Sequence, residues 1–192
     1  MDQTSREYKG QYRNKSVLII GSGSDLDGRK MQEDIEGSKY DIIARVNKLY
    51  GAREDVGTRT DVLFTRWNSW LDNKEWFNDD VQANAKEVVI LNQHIGYSAT
   101  EYQWLCARVG HEHVSAGAQA VDFFLNRGAK QVDIIGFGSI NGQFNPDKVY
   151  TQGSKGTTPE HNTTKEGKDE NPLYNWHLER EWEINQAKVK FL

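Results

Sequence analysis

Two apolar-rich runs, each ending in glycine and the second interrupted only by Asp133, constrain this chain more than any other feature. Ser16–Gly21 (SVLIIG) and Gln131–Gly136 (QVDIIG) lack the polar alternation of a half-exposed strand. A strand that is apolar on successive residues is covered on both faces, the condition met by a parallel sheet between two layers of helices. Asp41–Val46, Asp61–Thr65 and Lys86–Leu91 supply three further strand candidates. Between them, Arg29–Glu36, Tyr97–Ala107 and Ala116–Arg127 read as helices, the last closed by Gly128 as a cap. Leu173–Ala187 reads as a final helix and Val189–Leu192 as an edge strand. This alternation predicts an α/β fold: a single Rossmann-like domain whose mostly parallel sheet is flanked by helices on both faces.

A chain of 192 residues is long enough for one domain with a real core. Residues 1–15 are polar and read as an N-terminal arm, and 16–192 as the domain. Within it, 139–172 is rich in Gly, Lys, Thr, Asn and Pro and reads as a long loop, a length that is usually functional or disordered. The stretch before the fourth strand carries Trp67, Trp70 and Trp76, and there is no internal repeat. A net charge of -4 argues against general nucleic-acid binding, which needs a basic excess. The lone Cys106 excludes an intrachain disulfide and suits a reducing compartment. The charged N-terminus has no secretory signal, and no run approaches the ~20 apolar residues of a membrane span. A soluble cytoplasmic protein is therefore expected.

Three constellations are candidates for chemistry. Gly21-Ser22-Gly23-Ser24-Asp25-Leu26-Asp27-Gly28 follows the first buried strand, where glycines let a backbone approach a ligand and a following helix favours an anion. Leu26 breaks the dinucleotide fingerprint, Asp25 and Asp27 would repel a phosphate, and a tight structural turn is the competing reading. Ser115-Ala116-Gly117 precedes a helix and Gly136-Phe137-Gly138 follows the next strand; both lie at the carboxyl side of the sheet, where open α/β folds bind ligands. Ser115 also suits an N-cap. Arg45 inside a strand needs a partner, for which Asp55 or Asp61 is expected, and Asn47 at the strand's end is placed to touch a ligand. Asp79-Asp80 reads as a solvated pair, and no strong D-x-D metal motif stands out.

At these residues the chain resembles the sialyltransferase family of glycosyltransferases, the eukaryotic type (glycosyltransferase family 29-like). Gly21, Leu26, Asp41, Arg45, Asn47, Asp55, Val56, Gly57, Arg59 and Thr60 fall in register on the family's long motif, which ends D-V-G-x-R-T. Ser115, Gly117, Asp133, Gly136, Phe137 and Gly138 fall on its small motif. His161 stands where the short third motif belongs and His177, 16 residues on, where the last begins. The departures are Ser22 and Asp25 where the family carries asparagines, the absence of the disulfide that joins its two large motifs, and a short middle region. The last motif, H-x4-E, also differs: Glu181 and Glu183 flank Trp182 at the expected glutamate position after His177.

The resemblance implies a variant GT-A-like fold and inverting, metal-independent transfer of sialic acid or another sugar from a CMP-sugar, with no further cofactor. His177 is implied as the base and His161 as a partner of the leaving phosphate. Gly21, Ser22, Gly23, Asn47, Ser115, Ala116, Gly117 and Gly138 are implied as donor-binding residues. Glu181, by i,i+4 spacing, is expected to orient His177. The acceptor is a glycan, a lipid-linked sugar or a modified nucleic-acid base, and Trp67, Trp70 and Trp104 are candidates to stack on it. His94, His111 and His113 read as surface or satisfied residues. A bacterial cell or virus-infected cytoplasm fits the absent secretory features. The competing function is a non-catalytic nucleotide-binding or nucleotide-sequestering protein on the same fold; a nicotinamide-dependent reductase is disfavoured by Leu26.

Overall fold

The computed structural model describes residues 10–21, 23–47, 52–65, 85–91, 97–137, 139–140, 143–144 and 176–192. In chain order these form β1 (Ser16–Ile20), α1 (Gln32–Glu36), β2 (Ile42–Val46), the one-turn α2 (Arg53–Val56), β3 (Val62–Thr65) and β4 (Glu87–Ile90). There follow α3 (Ala99–Val109), α4 (Ala116–Asn126), β5 (Gln131–Ile135), β6 (Ser139–Ile140), β7 (Gln143–Phe144), α5 (Trp176–Ile184) and β8 (Val189–Phe191). Six strands make one sheet in the order β4-β3-β2-β1-β5-β8, and every neighbouring pair is parallel. The fold is thus the α/β fold with a parallel sheet that the apolar runs predict, with β8 at the edge.

Two details differ from the sequence reading. The segment read as a loop from Asn47 to Arg59 contains α2, whose four residues carry no apolar period to signal a helix. The segment read as a loop from 139 onward begins with an antiparallel pair, β6 and β7. No helix among the described residues is long and apolar enough to cross a membrane.

The pleat divides each inner strand between two cores. Val17 and Ile19 of β1 join Val132 and Ile134 of β5 under α3, α4 and α5, where Leu105, Val121, Phe123, Phe124 and Trp182 are buried. Leu18, Ile20, Ile43 and Ile135 point the other way, against Leu26, Ile35, Tyr40 and Val56. Phe123 is the hub of the larger core. Its ring centroid lies 5.1 Å from Phe64, 5.2 Å from Phe124 and 5.8 Å from Tyr12, and the Arg127 guanidinium sits 3.8 Å over it. Edge-to-face packing and the cation both add to the area that the ring buries.

The D-V-G-x-R-T stretch turns out to be framework. Arg45, buried on the α1 and α2 side, donates to the carbonyls of Val56 (2.7 Å), Gly57 and Arg59 and to Thr60 Oγ1 (3.0 Å). Neither Asp55 nor Asp61 is its partner, contrary to expectation, because carbonyls of the α2 turn reach it first. Burial pushes its pKa down to about 10 although Glu36 favours the charged form. Asp55 instead accepts from the amides of Gly28 (2.9 Å) and Lys30 (3.0 Å), which pins the turn after β1. Asp61 takes the Ile43 amide (2.9 Å), Arg59 (2.9 Å) and Lys86 (2.6 Å); burial opposes its ionisation, but these partners outweigh it and hold the carboxyl below its ordinary range. Gly57 sits at φ +54, where any side chain would be strained.

The strand order sets the location of the site. The chain steps outward from β1 to β4 and then returns to β5 on the opposite flank of β1. Ligands of open parallel sheets bind beyond the carboxyl ends of the strands where the order reverses, here between β1 and β5. Because Phe123 ties β3, α4 and Tyr12 together, Phe123→Ala should cost about 3–5 kcal/mol, read as a lower urea midpoint with an unchanged far-UV spectrum.

Candidate functional site

The β1–β5 register, Ile20 opposite Ile135, brings Gly21 and Gly136 side by side at the reversal of strand order. Their backbones touch: a Cβ on Gly21 would overlap the Gly136 carbonyl oxygen and come within 2.8 Å of Phe137 Cδ2. Gly136 is left-handed at φ +73. The turn is then cross-linked, with Gly21 N–H donating to Ile135 O (2.8 Å) and Gly23 N–H to Gly136 O (2.7 Å). Asp25 is not aimed outward at a ligand. It is buried, and its carboxylate accepts the Gly136 N–H at 2.9 Å, while Asp27, which completes a D-x-D spacing with it, is exposed. Gly21 and Gly23 therefore serve first as a close-packed wall, their own amides committed to β5.

Asn47 lies one residue beyond β2, level with this turn, and adopts φ +63 while its N–H donates to Phe64 O at 2.7 Å. A left-handed residue here re-aims the chain as it leaves β2, and asparagine takes this region more readily than other side chains do. Its side chain is half-buried.

Ser115 is the N-cap of α4, accepting from Ala118 N–H, and its own groups point elsewhere than at a free ligand. Its N–H donates to Glu179 Oε1 at 2.7 Å and its hydroxyl to Glu179 Oε2 at 2.6 Å. The positive end of α4 is thus already satisfied by a carboxylate from α5. Ala116 and Gly117 are buried in the first turn, and a Cβ on Gly117 would overlap Phe137 Cε1. Both glycines that flank Phe137 are required by its ring.

The last helix carries a feature that sequence reasoning missed. Glu179, Arg180 and Glu183 all turn inward and are buried, whereas Glu181, the expected partner of His177, is exposed. Arg180 pairs with Glu183 Oε2 at 2.7 Å and lies 3.6 Å from Glu179 Oε2. Its guanidinium stands 5.0 Å over the Phe137 ring and 5.9 Å over Phe191. The i,i+4 spacing of Glu179 and Glu183 beside the Leu178 and Trp182 pair was the available signal, but charge type alone gave no reason to turn it inward. His177 lies in the first turn of α5. Ser22, Gly138, His161 and Trp67, Trp70 and Trp76 lie outside the described residues, as does His94. Trp104 is 64% exposed on α3. His111 and His113 engage each other, with His111 Nδ1 2.8 Å from the His113 carbonyl. Cys106 is free and half-buried.

An all-parallel sheet that reverses its order between two touching glycine turns defines a doubly wound α/β protein whose reversal lies at β1 and β5. The chain belongs to glycosyltransferase family 29: the family described as Glycosyltransferase family 29 (sialyltransferase) matches residues 2–135. It is a glycosyltransferase by membership, and the match stops short of Phe137, His161 and His177. Among solved structures it is similar to a mammalian sialyltransferase in complex with Gal-beta-1-3GalNAc-ortho-nitrophenol, at 13% identity and a TM-score of 0.57, over 98% of this chain and 78% of that one. A second mammalian sialyltransferase structure matches at 14% identity and a TM-score of 0.52, with the same coverage. At such identities the likeness is one of fold. Among curated proteins, no sequence matches this one.

Burial raises the Glu183 carboxyl to about 8; Arg180 works against this and the Glu179 charge adds to it. Glu179 is raised as well, but the two Ser115 donors favour its ionised form, so Glu183 holds the proton. In the unfolded chain a glutamate releases its proton near pH ~4.3. Folding therefore retains a proton that the unfolded chain loses, and this group's contribution declines as pH rises from that value to about 8, then levels off. Glu183→Gln should flatten the fall in urea midpoint between pH 5 and 9; a fall as steep as in the wild type would refute the assignment.

Proposed function

We propose that this glycosyltransferase moves sialic acid or another sugar from a CMP-sugar to an acceptor hydroxyl, with inversion and without a metal. The observation that carries the reading is the left-handed Asn47 beside the Gly21–Gly23 turn, at the reversal of strand order, in a chain of this family. Asn47 contacts the nucleotide phosphate or ribose. Gly21, Gly23 and Gly117 contribute backbone surface rather than donors, with Gly21 and Gly117 packed on Phe137. Ala116 continues that surface in the first turn of α4, and Ser22 and Gly138 are assigned to the donor by the family resemblance alone.

Displacement at the anomeric carbon needs a base for the acceptor hydroxyl and a donor for the departing phosphate. An imidazole fits the first task because its ordinary pKa of ~6.5 suits proton abstraction near neutrality. His177 is the assigned base, since the first turn of α5 is fixed to α4 through Glu179 and Ser115. His161 donates to the phosphate as CMP leaves. Asp25 is committed to the Gly136 amide, which supports a reaction run without a D-x-D metal. The acceptor is a glycan, a lipid-linked sugar or a modified base, and the setting is a bacterial or virus-infected cytoplasm.

One observation favours the second reading, a nucleotide-binding protein without turnover. Trp182 stands where the family's H-x4-E motif, counted from His177, has its glutamate, and the middle region is short. Calorimetry with CMP, UMP and AMP tests the donor site; equal affinities would remove the CMP assignment. His177→Ala should lose about 10²–10⁴-fold in release of CMP from its sugar while keeping CMP affinity. Unchanged turnover in His177→Ala would remove His177 as the base. A wild-type protein that binds CMP but turns over no CMP-sugar would establish the second reading.

A further inference from the structure

The buried charges of α5 and the two glycine turns meet at one side chain. Phe137 is 8% exposed, and its two ring edges face different segments. Cδ2 and Cε2 lie against Gly21, at 2.8 and 2.9 Å from where a Cβ would stand. Cε1, Cζ and Cδ1 lie against Gly117. The ring is thus a spacer between the turn after β1 and the first turn of α4. Its contact from α5 is Arg180, whose guanidinium carbon is 5.0 Å over the ring centroid.

A guanidinium 3% exposed is costly unless compensated. Here Glu183 pairs with it at 2.7 Å and Glu179 lies 3.6 Å away, while Glu179 itself is tied to Ser115. The ionised Glu179 and the protonated Glu183 hold the planar group over Phe137, and Phe191 of β8 lies 5.9 Å from it. The same helix turn therefore meets both walls, α4 through Glu179 and the β1–β5 turns through Arg180.

We propose that Arg180 is a positioning residue of the nucleotide site: clamped by Glu179 and Glu183, it seats Phe137 between Gly21 and Gly117 and so sets the spacing of the two turns that receive the nucleotide. The inference rests on the reading that these turns receive CMP. Substitution of Arg180 acts on the site without removing any group that touches the ligand.

Two variants separate positioning from simple charge balance. Arg180→Lys keeps a cation for Glu179 and Glu183 but loses the flat face on the ring. The double variant Arg180→Met with Glu179→Gln removes the buried cation together with the ionised carboxylate that needs it, and leaves the neutral Glu183 in place. Both should fold. Hydrogen exchange in the free proteins should quicken at the Gly23 and Gly136 amides, which bridge the turn to β5, and not at Ile19 or Val132. CMP affinity by calorimetry should drop about tenfold, the scale of a lost buried cation–π contact. Folded variants with wild-type exchange at Gly23 and Gly136 and wild-type CMP affinity would overturn the proposal. Faster exchange spread evenly over the strands would reduce Arg180 to a stability residue and overturn it too. If the wild type itself gives no heat with CMP, the nucleotide reading falls, and the exchange pattern alone decides the clamp.

Discussion

Contact between the Gly21 and Gly136 backbones governs the rest of the molecule. Two parallel strands that belong to opposite windings of a sheet must run side by side and then part, and the point of parting leaves room for little beyond hydrogen atoms. Everything at the ligand end follows from that closeness. Asp25 can reach the Gly136 amide, Gly23 can reach its carbonyl, and Phe137 emerges with no space except between the Gly21 turn and Gly117. A methyl group at Gly21 would collide with backbone, which has nowhere to retreat.

Helix α5 closes this arrangement from the far side of the chain. Its inward face bears two glutamates and an arginine in a place where leucines would pack well. Such a cluster adds little to stability compared with apolar residues of equal size, and losing one member is severe. What it supplies is direction. The carboxylate of Glu179 recognises the open end of α4 by two hydrogen bonds, and the guanidinium recognises an aromatic face. An apolar helix can slide and rotate on an apolar core; one keyed by these contacts has a single seat.

The sheet was legible because burial on both faces leaves an unmistakable signature in Ser16–Gly21 and Gln131–Gly136. That the glycine turns lie at the carboxyl side of the sheet followed from where glycines ended the runs, whereas the strand order, with its reversal between β1 and β5, was not legible. The site's polar detail was not legible. Asp25 and Arg45 were read by charge, as a repellent and as half of an ion pair. Their true partners are backbone groups, the Gly136 amide and the Val56 carbonyl, and no residue type announces those. The exposure of Glu181 beside the burial of Glu179 and Glu183 likewise depends on how α5 is rotated, which a helix of charged residues does not declare.

The D-V-G-x-R-T stretch carries a last consequence. Asp55, Gly57, Arg59 and Thr60 are occupied with amides, carbonyls and Arg45, on the side of the sheet away from α4 and α5. These residues answer to the architecture, and their match with the family would survive the loss of every group that handles a sugar. A lineage can keep its most recognisable signature long after its chemistry has drifted, because the signature is written in the joinery rather than in the tool.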